Sequence, residues 1–142
     1  MLLARLPLGR FIGARDGNAA TEFAFVAPAT ILLFLGIVAF SMLLSTYSAL
    51  QQIAAEAARA ALPGQTAAQQ TQFATQYVNG VLSNYAFIDP SKLTVSTTST
   101  STTFQVSLSY DASASFFSNF SKSVVSTPLV ITRSATVQLS GF

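Results

Sequence analysis

The sequence predicts an α+β protein in which a long N-terminal transmembrane helix extends into a small domain of one further helix and a three-stranded antiparallel sheet. Three observations carry this prediction: a long uncharged apolar run, a helical repeat of apolar side chains after it, and strict apolar–polar alternation nearer the C-terminus. The expected segments are 1–17, basic; 18–62, helical; and 63–142, an α+β domain outside the membrane.

The membrane span is the run Ala24–Leu44, which contains no charged residue. As a helix it is about 31 Å long, close to the roughly 30 Å hydrocarbon thickness of a bilayer. Pro28 lies near its start, where a membrane helix tolerates proline better than a helix in water does. Only 8% of the whole chain is charged, against roughly 25% in a typical soluble domain. A lipid bilayer is therefore the first predicted partner.

The basic residues set the predicted orientation of this span. Three arginines precede it: Arg5, Arg10 and Arg15. The next basic residue is Arg59, so the positive-inside rule places the N-terminus in the cytoplasm and the C-terminal domain in the periplasm or beyond. A cleaved secretory signal is disfavoured, because its apolar region covers about 7–15 residues and its small-residue site follows at once. Here the nearest such site is Ala58-Arg59-Ala60, far beyond the run.

Two helices are expected before the strands. Apolar side chains follow the span at intervals of three to four residues: Tyr47, Leu50, Ile53, Ala57 and Ala61. The first helix should therefore run from about Thr21 to Leu62, where Pro63-Gly64 ends it. Thr66 and Gln69 match a capping box that opens the second helix. The expected apolar face of that helix is Phe73, Tyr77, Val81 and Tyr85, with Val78 and Leu82 beside them.

Strands are expected in the remainder. Leu93 and Val95 alternate with polar residues, and the Ser/Thr tract that continues to Thr103 suits a hairpin loop or an exposed strand. Strict alternation follows at Phe104, Val106, Leu108 and Tyr110. The segment Leu129–Leu139 is rich in valine, isoleucine and threonine and forms the third strand. Between them, a short helix or packed loop is indicated by the spacing of Phe116, Phe117, Phe120 and Val124.

Composition argues against an enzyme and against a nucleic-acid binder. The chain has no cysteine and no histidine, which excludes disulfides and the usual zinc sites. Its five acids are scattered, and no Gly-rich phosphate loop follows a strand. The net charge of +2 comes mainly from the N-terminal arginines, and the later basic residues are too dispersed for a nucleic-acid interface. We therefore predict no catalytic residue, no metal site, no cofactor and no nucleic-acid partner.

A distinctive motif joins the basic residues to the span: Arg15-Asp16-Gly17, then Asn18-Ala19-Ala20-Thr21-Glu22-Phe23, then Ala24-Phe25-Val26-Ala27-Pro28. It resembles prepilin-type sequences, and specifically the TadE/TadG-like pseudopilins of the tight-adherence (Tad or Flp) type IV pilus system. The segments Gly36–Phe40 and Ala55–Ala61 are also similar to that family. The resemblance covers roughly residues 10–62.

The resemblance implies that a prepilin peptidase removes residues 1–17 as a leader by cutting between Gly17 and Asn18. Glu22 then becomes the fifth residue of the mature chain, and in similar pilins this carboxylate meets the free N-terminal amine of an adjacent subunit. The physics agrees, because a charge at the lipid edge costs a few kcal/mol unless it is paired. Phe23 stands where the major Flp pilins typically carry tyrosine, which favours a minor pilin.

The implied role is structural, as a component that primes or tips a pilus. Its N-terminal helix would pack against other pilins, with the small residues Ala20, Ala24 and Ala27 permitting close approach. The implied partners are the prepilin peptidase, other pilins and pseudopilins of the same system, and the inner-membrane assembly platform.

Alternatives remain open on the sequence alone. The chain is also compatible with an uncleaved single-span inner-membrane protein whose external domain binds an envelope partner. Glu22 then becomes a first-turn acid favoured by the helix dipole, and Gly17 a loop glycine between the tail and the helix. Glu56 and Arg59 are interpreted as an i, i+3 surface pair.

Overall fold

The computed structural model describes residues 16–113, residue 118 and residues 129–139. Its elements are α1 (Asp16–Ala60), α2 (Ala67–Val81), β1 (Leu93–Ser99), β2 (Thr103–Asp111) and β3 (Val130–Gln138), with single 3₁₀ turns at Leu82–Asn84 and Pro90–Lys92. The predicted α+β class, with a long apolar helix, one further helix and three antiparallel strands, is confirmed. The short helix or packed loop predicted around Phe116, Phe117, Phe120 and Val124 lies outside the described residues.

The chain divides after Ile37 into two compact units. In the first, the described part is helical and exposes large apolar side chains, with Phe25 82% and Phe34 64% exposed. Pro28 lies inside the helix and donates no backbone hydrogen bond there. Two residues later, the Thr30 hydroxyl donates to the Val26 carbonyl oxygen over 2.9 Å. Such a helix is stable only where lipid or other helices cover its apolar surface.

The second unit, from Val38 onward, contains the sheet. Its strands are ordered β1-β2-β3, and both pairs are antiparallel. The predicted alternation in β2 is confirmed, because Phe104, Val106 and Leu108 are fully buried while the side chains between them are only half-buried. The opposite face of the sheet carries almost only serine, threonine and glutamine, which explains the Ser/Thr tract as β1 and the hairpin after it.

The core forms where the inner face of this sheet meets α1 and α2. The core residues of α1 are mostly alanines, and Ala54, Ala57 and Ala58 are fully buried. Small side chains let a helix approach its neighbours closely, while Leu50 and Ile53 supply the larger apolar volume. This face continues the three-to-four-residue spacing predicted from the sequence.

The buried face of α2 agrees in part with the prediction, because Val78 and Leu82 are buried and Tyr77, Val81 and Tyr85 pack against the core as partly buried side chains. The fully buried face of the helix is nevertheless shifted from the predicted one. It consists of Gln70, Ala74 and Val78, whereas Phe73 is 38% exposed and Tyr77 is half-buried. The physical reason is size: the small Ala74 brings the α2 backbone close to the core, and a phenylalanine in its place would hold the helix away. The apolar periodicity predicted the helix correctly, but it assigned the buried face to the bulkier of two adjacent rows of side chains.

Gln70 is a buried polar residue that ties three elements together. Its Nε2 donates to the Gly64 carbonyl oxygen over 3.1 Å, and its Oε1 accepts from the Ser99 hydroxyl over 3.1 Å. The predicted cap of α2 is present, since the Thr66 hydroxyl accepts from the Gln69 amide. The Gln69 side chain, however, accepts from the Gln65 amide and not from that of Thr66.

Gly64 provides a test of this junction. A Cβ built there would lie 2.7 Å from the Gln70 amide nitrogen, which is backbone and cannot rotate away. We expect Gly64→Ala to destabilise the second unit by about 1–3 kcal/mol, the usual cost of overpacking. Urea unfolding of the detergent-solubilised chain, followed by tyrosine fluorescence, measures the change.

Gly80 is the matched control, because it lies within α2 and a Cβ there meets nothing within 4 Å. We expect Gly80→Ala to stabilise the chain by roughly 0.5–1 kcal/mol through helix propensity alone. If Gly64→Ala leaves the urea midpoint unchanged, or raises it as expected for Gly80→Ala, the close approach at Gly64 does not constrain the fold.

Candidate processing and assembly site

The predicted processing site lies within helical backbone. The helix α1 begins at Asp16, five residues before the start expected near Thr21, and therefore includes Gly17 and Asn18. It ends at Ala60, two residues before the expected end at Leu62. The early start has a local reason, since Ala19 and Ala20 are the strongest helix formers and extend the helix towards the basic segment. Within the described residues, the Gly17–Asn18 bond therefore lies in a helix and not in a loop.

Glu22 and Phe23 lie one helical turn further on. Both side chains are exposed, and Phe23 is 72% exposed. Within the part of the chain that the structure describes, Glu22 makes no hydrogen bond or ion pair. Asn18 and Glu22 are separated by four residues, so they occupy the same side of α1, about 6 Å apart along its axis.

The three small residues predicted for helix packing share one face. Ala20, Ala24 and Ala27 are spaced at i, i+4 and i+7, which places them in one stripe along α1. Ala20 and Ala24 are exposed and Ala27 is half-buried. The structure thus brings these positions together as a continuous strip of low side-chain volume, and it places Phe23 beside that strip.

Glu56 has a different partner from the one predicted. Its carboxylate accepts a hydrogen bond from the Tyr77 hydroxyl, and Gln52 Nε2 donates to it over 3.2 Å. The Tyr77 hydrogen bond is the main cause that lowers the pKa of Glu56, and the charge of Arg59 contributes least. The same contact, with burial, raises the pKa of Tyr77 to about 12. The main partner of Glu56 is thus Tyr77 and not Arg59, and their hydrogen bond links α1 to α2.

This link predicts a pH dependence of stability. Because folding lowers the pKa of Glu56 from 4.5, its contribution is fully present above that value and is lost as the pH falls through the folded pKa. The Tyr77 contribution is present below pH 10 and is lost as the pH rises through about 12.

We therefore expect Tyr77→Phe to lower the urea midpoint at neutral pH and to differ less from the parent chain in acid. Tyr85→Phe is the control, because Tyr85 makes no hydrogen bond with Glu56. A midpoint difference for Tyr77→Phe that stays constant from neutral to acidic pH would show that the link does not titrate.

The described residues offer no group of histidine, cysteine, aspartate or glutamate side chains that could hold a metal ion. They contain one helix, within Ala19–Ala60, that is long and apolar enough to cross a membrane, with a mean hydropathy of 2.5 in its most apolar window. A helix of this kind joined to a small α+β unit fits a membrane-anchored protein.

Comparison with known families identifies the helix more closely. Residues 17–59 match the sequence model of the family described as TadE-like protein, so this part of the chain is TadE-like and the resemblance found in the sequence is confirmed. The match begins at Gly17 and takes in Asn18, Glu22 and Phe23. Searches of curated proteins and of solved structures return no match.

Proposed function

We propose that this chain is a minor pilin, or pseudopilin, that takes part in assembly of the Tad (Flp) pilus. The observation that carries the proposal is the family match, which begins at the glycine predicted to precede the cleavage site and ends in α1. The match includes Gly17 and Asn18, the two residues that flank the proposed cleavage site.

In this proposal α1 is surrounded first by lipid and later by other pilins. Its exposed apolar surface, with residues such as Phe25, Leu33 and Phe34, is covered first by the lipid of the bacterial inner membrane. After a prepilin peptidase has cut the leader, other pilins and pseudopilins cover the same surface, and the strip of Ala20, Ala24 and Ala27 lets their helices approach closely.

Glu22 has a definite role in this sequence of events. Cleavage creates an ammonium group on Asn18, which is the cation that a carboxylate at the lipid edge requires. We propose that Glu22 of one subunit pairs with this amine on a neighbouring subunit and so guides entry into the filament. The exposure of Glu22 supports the pairing, because its carboxylate faces outward from α1.

A second candidate function is favoured by one observation. The Gly17–Asn18 bond lies in helical backbone, whereas a protease must hold the scissile segment extended. An uncleaved single-span protein, with its second unit in the periplasm bound to an envelope partner, would keep this helix intact.

The experiment that separates the two functions follows the protein in cells that assemble Tad pili. We expect a C-terminally tagged chain to appear both in the membrane and in filaments sheared from the cell surface, and to leave the sheared fraction when the prepilin peptidase is inactivated. A chain that stays wholly in the membrane while pili are sheared in normal amounts would support the second function.

A further inference from the structure

A cation held on an aromatic ring lies just beyond the predicted end of the span. Arg133 is on β3 opposite Leu108, and its guanidinium carbon lies 4.3 Å from the centre of the Tyr47 ring in α1. Its Nη1 also donates to the Thr132 carbonyl oxygen over 3.0 Å. Both Arg133 and Tyr47 are half-buried, so the ring and the backbone fix the guanidinium in place.

Tyr47 marks a change of environment along one face of α1. Phe40, Leu44, Tyr47 and Gln51 follow one another at three- and four-residue intervals and therefore share a face. Before Tyr47 this face is open and apolar, with Phe40 59% and Leu44 51% exposed. The next residue of this face, Gln51, is polar, and its Nε2 donates to the Ser134 carbonyl oxygen over 3.4 Å.

The position of Tyr47 along α1 agrees with the level of the polar surface of a bilayer. It lies three residues past Leu44, or about 4.5 Å along the helix. The polar layer of a bilayer is roughly 5–7.5 Å deep on each side, taking a total thickness of about 40–45 Å and a hydrocarbon core of about 30 Å. Tyrosine is enriched at this level because its ring is apolar and its hydroxyl is polar.

Arg133 brings a charge to the same level. An arginine has five N–H donors. Among the described residues, one donor of Arg133 has a hydrogen-bond acceptor, and no carboxylate pairs with its guanidinium. A planar guanidinium matches the oxygens of a phosphate group in a bidentate contact. Next to an exposed apolar helix face, the phosphate that meets this geometry belongs to a lipid headgroup.

We propose that Arg133, positioned by the ring of Tyr47, binds the phosphate of a phospholipid where α1 leaves the bilayer. The contact joins β3 to the membrane surface and sets the depth at which the second unit sits. This inference rests on insertion of α1 into the membrane, which is part of the proposed function, but it does not depend on cleavage at Gly17.

The test uses the full chain in vesicles of phosphatidylcholine and phosphatidylglycerol. Arginine labelled at the guanidinium carbon is examined by solid-state NMR for dipolar coupling to lipid phosphorus. We expect a rapidly dephased signal, because N⁺–H···O⁻ contacts of about 2.8 Å hold a guanidinium against a phosphate. Arg5, Arg10 and Arg15 precede the span and would also meet lipid phosphate, so they are replaced by lysine in every sample, and the label then reports on Arg59 and Arg133 alone. The dephased signal should disappear in Arg133→Lys, which keeps the charge but removes the labelled carbon.

Arg59→Lys is the matched control, since Arg59 is exposed on α1 about 18 Å further from the bilayer than Tyr47. Its removal should leave the dephased signal unchanged. A dephased signal that is the same with and without Arg133 overturns the inference.

A separate reporter distinguishes this failure from a failure of membrane insertion. The chain has no tryptophan, so Phe34→Trp places a single one in the apolar run. Quenching of Trp fluorescence by lipids brominated deep in the acyl chain shows insertion. Quenching without coupling at Arg133 overturns the headgroup site alone, and absence of quenching overturns both the site and the membrane anchor.

Discussion

Replacing Gly17 by alanine is expected to block or strongly slow removal of residues 1–17. Two effects act in the same direction. Alanine adds a side chain next to the scissile bond, and it stabilises local helix by about 1 kcal/mol relative to glycine. Because Gly17 and Asn18 lie in helical backbone, the bond must unwind before a protease can hold it extended, and glycine is the residue that unwinds at least cost.

Gly36→Ala is the control for this variant. Gly36 is also within α1, so the substitution gains similar helix propensity but lies nineteen positions from the proposed cleavage site. We expect Gly36→Ala to mature at the parental rate, as measured by the ratio of precursor to mature bands after a pulse label. Equal maturation rates for Gly17→Ala and the parent chain would show that Gly17 is not part of the proposed processing site.

Replacing Glu22 by alanine is expected to leave cleavage largely intact but to deplete the protein from filaments. Without Glu22, the ammonium group of Asn18 on the neighbouring subunit stays unpaired at the lipid edge, which costs a few kcal/mol, and each 1.4 kcal/mol is a factor of ten. We therefore expect about a tenfold or greater loss from the sheared fraction. The amount of mature protein in the membrane should change little, which separates an assembly defect from a processing defect.

Glu56→Ala provides the comparison for Glu22. Glu56 is the other acid well within α1, but its carboxylate is occupied by Tyr77 and Gln52 within its own subunit. Its loss should alter stability and leave entry into the filament near the parental level once corrected for the folded amount. Normal assembly of Glu22→Ala would show that the proposed amine pairing is wrong.

Local patterns in the sequence were sufficient for the elements of the fold. The alternation from Phe104 to Tyr110 defined β2, and Thr66 marked the start of α2. These signals are local because they arise from strand pleating and from a helix cap, both of which involve residues close in sequence. The TadE-like match likewise rests on a continuous segment.

Contacts between distant residues could not be predicted in the same way. The partner of Glu56 is Tyr77, and the ring beneath Arg133 is that of Tyr47. Each pairing depends on how α1 is packed against another element, which spacing along the chain does not reveal. One signal was available for Tyr47, since an aromatic residue within a turn of the end of an apolar run is typical of the membrane surface.

The most direct test of the proposed function is the intact mass of the membrane-extracted protein, expressed with and without a prepilin peptidase. We predict that the peptidase removes Met1–Gly17, so that the mature chain begins at Asn18, and that without it the full 142-residue chain is recovered. A mass that still includes residues 1–17 in the presence of an active peptidase would contradict the assignment as a processed minor pilin.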